Sequence, residues 1–281
     1  MATFLTQEQE KQMVEEYLQG VSLNNLRVKY GFKTNKSITD KVKKYYGQEK
    51  ARELIDGMRG IRKGYSYTME TISNKFDAYF LGLLLTDGYI TSREKDVGLD
   101  LTDEDAIKFI SETVGHGYKK YEYPPAYNRL PRYRIIISDK KLVENVKRYG
   151  IVRNKTLTLR EPNLKEEEKK YLPYIIRGII DGDGCVFKTS YGAPAFYICS
   201  ASETFINWCR YTLENNLYMT DIRKRRSEAG LWRIETAEHY NIIKLLALVY
   251  DKPFGMQRKF SSIRKMFNDY NSTSQVEEGI V

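Results

Sequence analysis

The chain has 281 residues, 41% hydrophobic and 30% charged, with a mean hydropathy of -0.56, a net charge of +9 and a pI near 9.2. That is enough apolar material for a sizeable core, and the basic balance favours a polyanionic partner, nucleic acid first. Three cysteines without metal spacing exclude a disulfide framework, two histidines argue against a zinc site, and no apolar run reaches the roughly eighteen residues of a membrane span. The Met-Ala-Thr-Phe start has no basic segment leading into an apolar one, so a reducing, cytoplasmic setting is expected.

In chain order, residues 1–58 predict a small helical unit. One helix starts at Thr6 as N-cap and ends at Gly20, a second runs from Ser22 to Gly31, and a third is capped by Thr34 and closed by Gly47. The spacing resembles the helix-turn-helix of resolvase-type DNA-binding proteins. On that resemblance Asn35, Lys36, Thr39, Asp40 and Lys43 form the exposed face of the recognition helix. Residues 59–75 read as a basic, glycine-containing linker.

From Lys75 the pattern repeats: an apolar helix, two strands, a helix, two strands and a closing helix. The first unit occupies 76–160, with strands near Tyr89–Ser92, Val97–Thr102, Tyr118–Tyr123 and Tyr133–Ser138. After an inter-unit linker, 161–170, the second occupies 171–270, with strands near Cys185–Lys188, Ala195–Cys199, Tyr218–Lys224 and Leu231–Thr236. The polar end, 271–281, is expected to be a flexible tail.

Each unit opens alike. Phe80-Leu81-Gly82-Leu83-Leu84-Leu85-Thr86-Asp87-Gly88 aligns with Ile176-Arg177-Gly178-Ile179-Ile180-Asp181-Gly182-Asp183-Gly184. Glycine at the third position of each lets the two helices approach backbone to backbone, which would bring both Asp-Gly ends together. An acid at a helix C-terminus faces the unfavourable end of the dipole. Two such acids held close repel unless a divalent cation, most simply Mg²⁺, lies between them.

The two stretches resemble the paired motifs of LAGLIDADG homing endonucleases in their single-chain form, over roughly Lys75 to Phe267. The resemblance implies an α+β fold of two pseudo-symmetric αββαββα halves with saddle-shaped antiparallel sheets, here preceded by the all-α helix-turn-helix domain. It implies a monomer that cuts both strands of a specific double-stranded DNA site, leaves short 3′ overhangs and uses Mg²⁺, with Mn²⁺ as a substitute and Ca²⁺ as a non-productive ion. Carried over to this chain, Asp87 and Asp183 are the metal acids, with Gly88 and Gly184 beside them as further metal contacts. Lys155 and Lys259 are the basic catalytic residues. Asp103 is the polar residue completing the first half's site, and Ala201 holds the corresponding place in the second. Leu85, Thr86 and Arg177 depart from the name pattern.

On the same reading the strands contact DNA through Arg93, Lys95, Lys119, Tyr121, Tyr123, Arg132 and Arg134 in the first half. The second offers Lys188, Tyr191, Arg223, Lys224, Arg225, Arg226 and Arg233. The alternative is a catalytically silent DNA-binding regulator or RNA maturase on the same scaffold. The retained acids favour the endonuclease.

Overall fold

The computed structural model describes residues 5–19, 21–52, 54–55, 67–124 and 129–277. Two compact units, 1–66 and 67–281, divide the chain. No helix among the described residues is long and apolar enough to cross a membrane.

The first unit has helices α1 (Gln7–Leu18), α2 (Leu23–Lys29) and α3 (Lys36–Tyr46). Thr6 and Gln9 form a capping box on α1, and the Ser22 hydroxyl caps α2. Met13, Val14, Tyr17, Leu26, Ile38 and Val42 fill the core between the three helices. Buried Glu10 accepts hydrogen bonds from Lys41 and Lys44, which pin α3 to α1 and hold its carboxyl below the usual range. The expected Thr34 cap is not formed: Asn35 holds the N-cap position, and the Thr34 hydroxyl lies 3.3 Å from that of Ser37. Gly20 lies outside the described residues, whereas Gly47 closes α3 at φ 75° as expected.

In the second unit α4 (Lys75–Thr86) leads to strands β1 (Gly88–Ile90) and β2 (Asp96–Leu101), then α5 (Glu104–Val114), β3 (Tyr118–Tyr121), β4 (Arg132–Ser138) and α6 (Lys140–Arg148). The order recurs as α7 (Leu172–Asp183), β5 (Gly184–Lys188), β6 (Pro194–Ser200), α8 (Glu203–Tyr211), β7 (Arg223–Arg226), β8 (Trp232–Thr236) and α9 (His239–Lys244), before a final α10 (Gln257–Glu277). Each half makes one antiparallel four-stranded sheet, ordered β1-β2-β4-β3 and β5-β6-β8-β7. Alternation along the strands buries Val97, Leu99, Ile135 and Ile137 in the first half, and Phe196, Ile198 and Ile234 in the second, beneath the helices. Within the second unit, the opposite face of each sheet turns away from these described helices.

Helices α4 and α7 form the seam, and nine of the twelve residues of each are buried. A Cβ on Gly82 would lie 2.8 Å from the Gly178 Cα, and one on Gly178 would lie 2.8 Å from the Gly82 Cα. No other residue permits that approach.

Three segments depart from expectation. Residues 59–66 of the expected linker lie outside the described residues, but 67–75 pack into the second unit, where Met69 and Ile72 are buried and the Tyr67 hydroxyl donates to Asp77 at 2.7 Å. The inter-half linker is likewise anchored. Fully buried Glu168 accepts from the Ile72 and Lys165 amides, the Tyr149 hydroxyl and Arg148 at 2.7–3.0 Å. Burial pushes its carboxyl up, yet those donors hold it below the usual range. Finally, α10 carries the chain in helix to Glu277, so the tail expected from 271 is helical to that point, and 278–281 lie outside the described residues.

Candidate active site between the two halves

Asp87 is the C-cap of α4, and Asp183 is the last residue of α7. The glycine seam brings both helix ends together. The Asp87 carboxylate rests on the opposing helix, where a Cβ on Gly182 would lie 2.6 Å from Asp87 Oδ2. On its own helix it accepts from the Thr86 hydroxyl at 3.2 Å. Burial, and then the charge on Asp183, push the Asp87 carboxyl up to about 6. Burial also raises Asp183, with Lys155 and Lys259 opposing. A pair of part-buried carboxylates that resist ionisation fits a divalent cation, which removes their repulsion. Mg²⁺ in particular takes one or two protein carboxylates and completes its shell with water and substrate phosphate.

The positive groups that answer the helix dipoles are the two lysines. Lys155 Nζ donates to the Thr86 and Gly88 carbonyls at 2.8 and 2.7 Å. Lys259 Nζ donates to those of Ile180, Asp181 and Gly184 at 2.7, 2.6 and 2.7 Å. Each caps a helix end, where the last carbonyls lack intrahelical partners, although that of Ile180 also accepts from the Gly184 amide. Both are buried, and burial lowers both ammonium pKa values. Lys259 has spent all three N–H groups on carbonyls, whereas Lys155 has spent two. The carbonyls of Gly88 and Gly184, expected to contact a metal, each accept a hydrogen bond from one of these lysines. Among the described residues no cluster of three or more His, Cys, Asp or Glu side chains surrounds them.

Asp87 opens into a cleft of about 150 Å³ that Asp103, Gly182, Arg258 and Lys259 also line. Asp103 binds Arg258 through Nε–Oδ1 at 3.0 Å and Nη2–Oδ2 at 3.1 Å, fixing a guanidinium beside the acids. Arg258 escaped the sequence reading, although its neighbour Lys259 did not. Gly88 pairs with Leu99 and Gly184 with Ile198 in the two sheets, and Asp103 and Ser202 are the N-caps of the helices that follow. The second-half counterpart of Asp103 is therefore Ser202 and not Ala201. Ser202 is turned inward, donating to the Leu159 carbonyl at 2.5 Å.

Arg177, an oddity in the motif, is fully buried. It donates to the Lys252 and Phe254 carbonyls and lies 3.9 Å from the Phe254 ring centroid. One turn on, buried Asp181 accepts from the Tyr79 and Tyr250 hydroxyls at 2.9 and 2.7 Å and from the Met256 amide at 3.3 Å. Together these tie the loop before α10, and so Arg258 and Lys259, to the motif helix. Burial raises the Asp181 carboxyl, opposed by the Tyr250 bond and the Arg177 charge.

The helix-free face of the first sheet carries Lys119, Tyr121, Arg132 and Arg134, which the ladder places together as expected. That of the second carries Arg223, Arg225 and Arg233, which with Phe187 and Glu235 line a hollow of about 370 Å³. Strand parity removes three candidates from it. Lys188 turns to the helical side and pairs with Asp269 at 3.1 Å. Lys224 binds Glu203 and Asn207 there, and Arg226 reaches the Gly230 carbonyl. Arg93, Lys95 and Tyr191 are exposed in the β1–β2 and β5–β6 connections. In the first unit Asn35, Lys36 and Lys43 are exposed, and Thr39 is half-buried with its hydroxyl bonded to the Lys36 carbonyl.

No family model and no curated protein matches the chain. Solved structures do. The homing endonuclease I-WcaI bound to its DNA recognition sequence aligns over 78% of this chain and 97% of its own, at 13% identity and a TM-score of 0.53. The LAGLIDADG meganuclease I-AabMI, bound to uncleaved DNA, aligns over 74% and 95% at 15% identity and a TM-score of 0.47. Full-length DUF199/WhiA from Thermatoga maritima aligns over 76% and 67% at 12% identity and a TM-score of 0.45. Two sheets, a paired-helix seam and an acid at the end of each seam helix place the body of this chain in the LAGLIDADG fold.

Proposed function

We propose that the chain binds a specific double-stranded DNA site as a monomer and hydrolyses one phosphodiester on each strand, leaving short 3′ overhangs. The observation that carries this reading is the meeting of Asp87 and Asp183 at the seam between two sheet faces rich in Arg, Lys and Tyr. Two such faces on one chain suit two halves of a duplex site, with basic side chains toward phosphates and groove edges. Asp87 and Asp183 would hold a divalent cation, Mg²⁺ or Mn²⁺. When bound, the cation supplies an activated water and stabilises charge on the scissile phosphate. Arg258, fixed by Asp103 at the cleft, orients and neutralises a phosphate there. Lys155 and Lys259 keep the helix ends in place, and the exposed face of α3 extends the contact with DNA.

A second reading, DNA binding without cleavage, is favoured by one observation: the Gly88 and Gly184 carbonyls are already committed to lysines. The test is selection from a random duplex pool in Ca²⁺, followed by Mg²⁺ on the recovered site. Double-strand cleavage supports the endonuclease. Tight binding with intact DNA supports the second reading.

A further inference from the structure

The strand ladders make Arg134 and Arg233 counterparts. Each sits on its sheet's third strand from the motif, Arg134 opposite Asp100 and Arg233 opposite Cys199. Their surroundings differ. Arg134 donates from Nε to Asp100 Oδ1 at 2.7 Å and from Nη2 to Oδ2 at 2.6 Å. Tyr89 donates to the same carboxylate at 3.2 Å, and the Tyr121 ring lies 4.8 Å from the Arg134 guanidinium. Tyr89 can reach Asp100 because it lies over Gly98, where a Cβ would stand 2.7 Å from its hydroxyl. Arg233, by contrast, shares Glu235 with Arg225 and stacks on Tyr197 at 3.7 Å.

A guanidinium held through Nε and one Nη keeps its end-on pair of N–H groups free. Those two parallel donors match the O6 and N7 acceptors of guanine in the major groove. Asp100 also removes most of the rotamer entropy that a free arginine loses on binding. The side chain remains 37% exposed on the helix-free face, while Asp100 beneath it is 13% exposed. We infer that Arg134, set by Asp100, reads a single guanine in the half-site facing the first sheet, and that Arg233 has no such fixed preference. This rests on the DNA-binding reading above, and it assigns Asp100 as the positioning residue and Arg134 as the specificity-determining one.

The test is pool selection in Ca²⁺ with the full chain, Asp100→Asn and Arg134→Lys. The wild-type consensus is expected to hold one guanine whose preference falls about tenfold in both variants, other positions unchanged. On wild-type protein alone, 7-deazaguanine at that position removes the N7 acceptor and should weaken binding about tenfold, with no such effect at other guanines. This keeps the question open to an answer if either variant fails to fold. A wild-type consensus in which no guanine responds to 7-deaza replacement overturns the inference while leaving DNA binding intact. A chain that enriches no sequence overturns the DNA-binding reading and this inference with it.

Discussion

Gly82 and Gly178 meet across the seam so closely that a Cβ on either would stand 2.8 Å from the other's Cα. The obstacle on each side is main chain, which cannot swing aside as a side chain can. Gly178→Val should therefore cost more than the roughly 1–3 kcal/mol of ordinary overpacking. Gly82→Val should cost about the same, since the environments mirror each other. Urea unfolding of each variant against wild type measures this. A loss under about 1 kcal/mol for both would show that the helices can part.

Asp87 makes the stability depend on pH in an unusual direction. Its carboxyl stands at about 6 instead of 3.8, so the folded chain holds the proton more tightly than the unfolded one. From about pH 4 to pH 6 this group's contribution to stability falls as pH rises, and above pH 6 the loss is complete. Asp87→Asn should then be more stable than wild type at pH 8, by on the order of 2 kcal/mol after discounting for partial exposure, and no more stable at pH 3.5. Mg²⁺ at pH 8 should raise the wild-type melting midpoint and leave Asp87→Asn/Asp183→Asn unmoved. Thermal melts at the two pH values, with and without Mg²⁺, check both outcomes.

Lys155 and Lys259 lie at equivalent helix ends but are not equally committed, with two carbonyls on one and three on the other. Each buried acceptor left without a donor costs about 1–3 kcal/mol. The Ile180 carbonyl keeps the Gly184 amide, so each Lys→Met variant strips the lysine donor from two carbonyls with no helix-end amide, and both should lose a similar amount, about 2 kcal/mol or more. Lys155, with one N–H uncommitted among the described residues, is the lysine with a donor left for a phosphate. If strand scission is followed separately, Lys155→Met should slow one strand's cut out of proportion to its effect on stability. Denaturant titration and nicking kinetics supply the two readouts.

Much of this arrangement was legible in the residues themselves. The Gly-to-Asp spacing of the two motifs placed the seam and the acids, because a glycine facing a glycine and an acid closing each apolar run leave few other geometries. The strands lie close to the stretches expected from the repeated order of elements, with β7 displaced. Tyr218–Lys224 was expected, but the strand is Arg223–Arg226. Positive φ at Tyr218 and Asp221 breaks the preceding segment, where Met219 and Ile222 are both buried at a spacing of three that no regular strand puts on one face. The lysines were found, but not the carbonyls they hold. A buried ammonium is set by carbonyls at a helix end some 70 to 80 residues away in sequence, which no local pattern encodes. Lys188 was misread by one step of strand parity, and Ala201 by one position of alignment, both invisible without the ladder. The helix through residues 271–277 had no apolar stripe to announce it.

The most direct measurement follows each strand of the recovered DNA site in Mg²⁺ with wild type, Asp87→Asn and Asp183→Asn. Wild type is expected to cut both strands, and each variant, still binding the site in Ca²⁺, is expected to make no double-strand break. Double-strand cleavage by either variant, or intact DNA with wild type, would contradict a nuclease centre built on this acid pair.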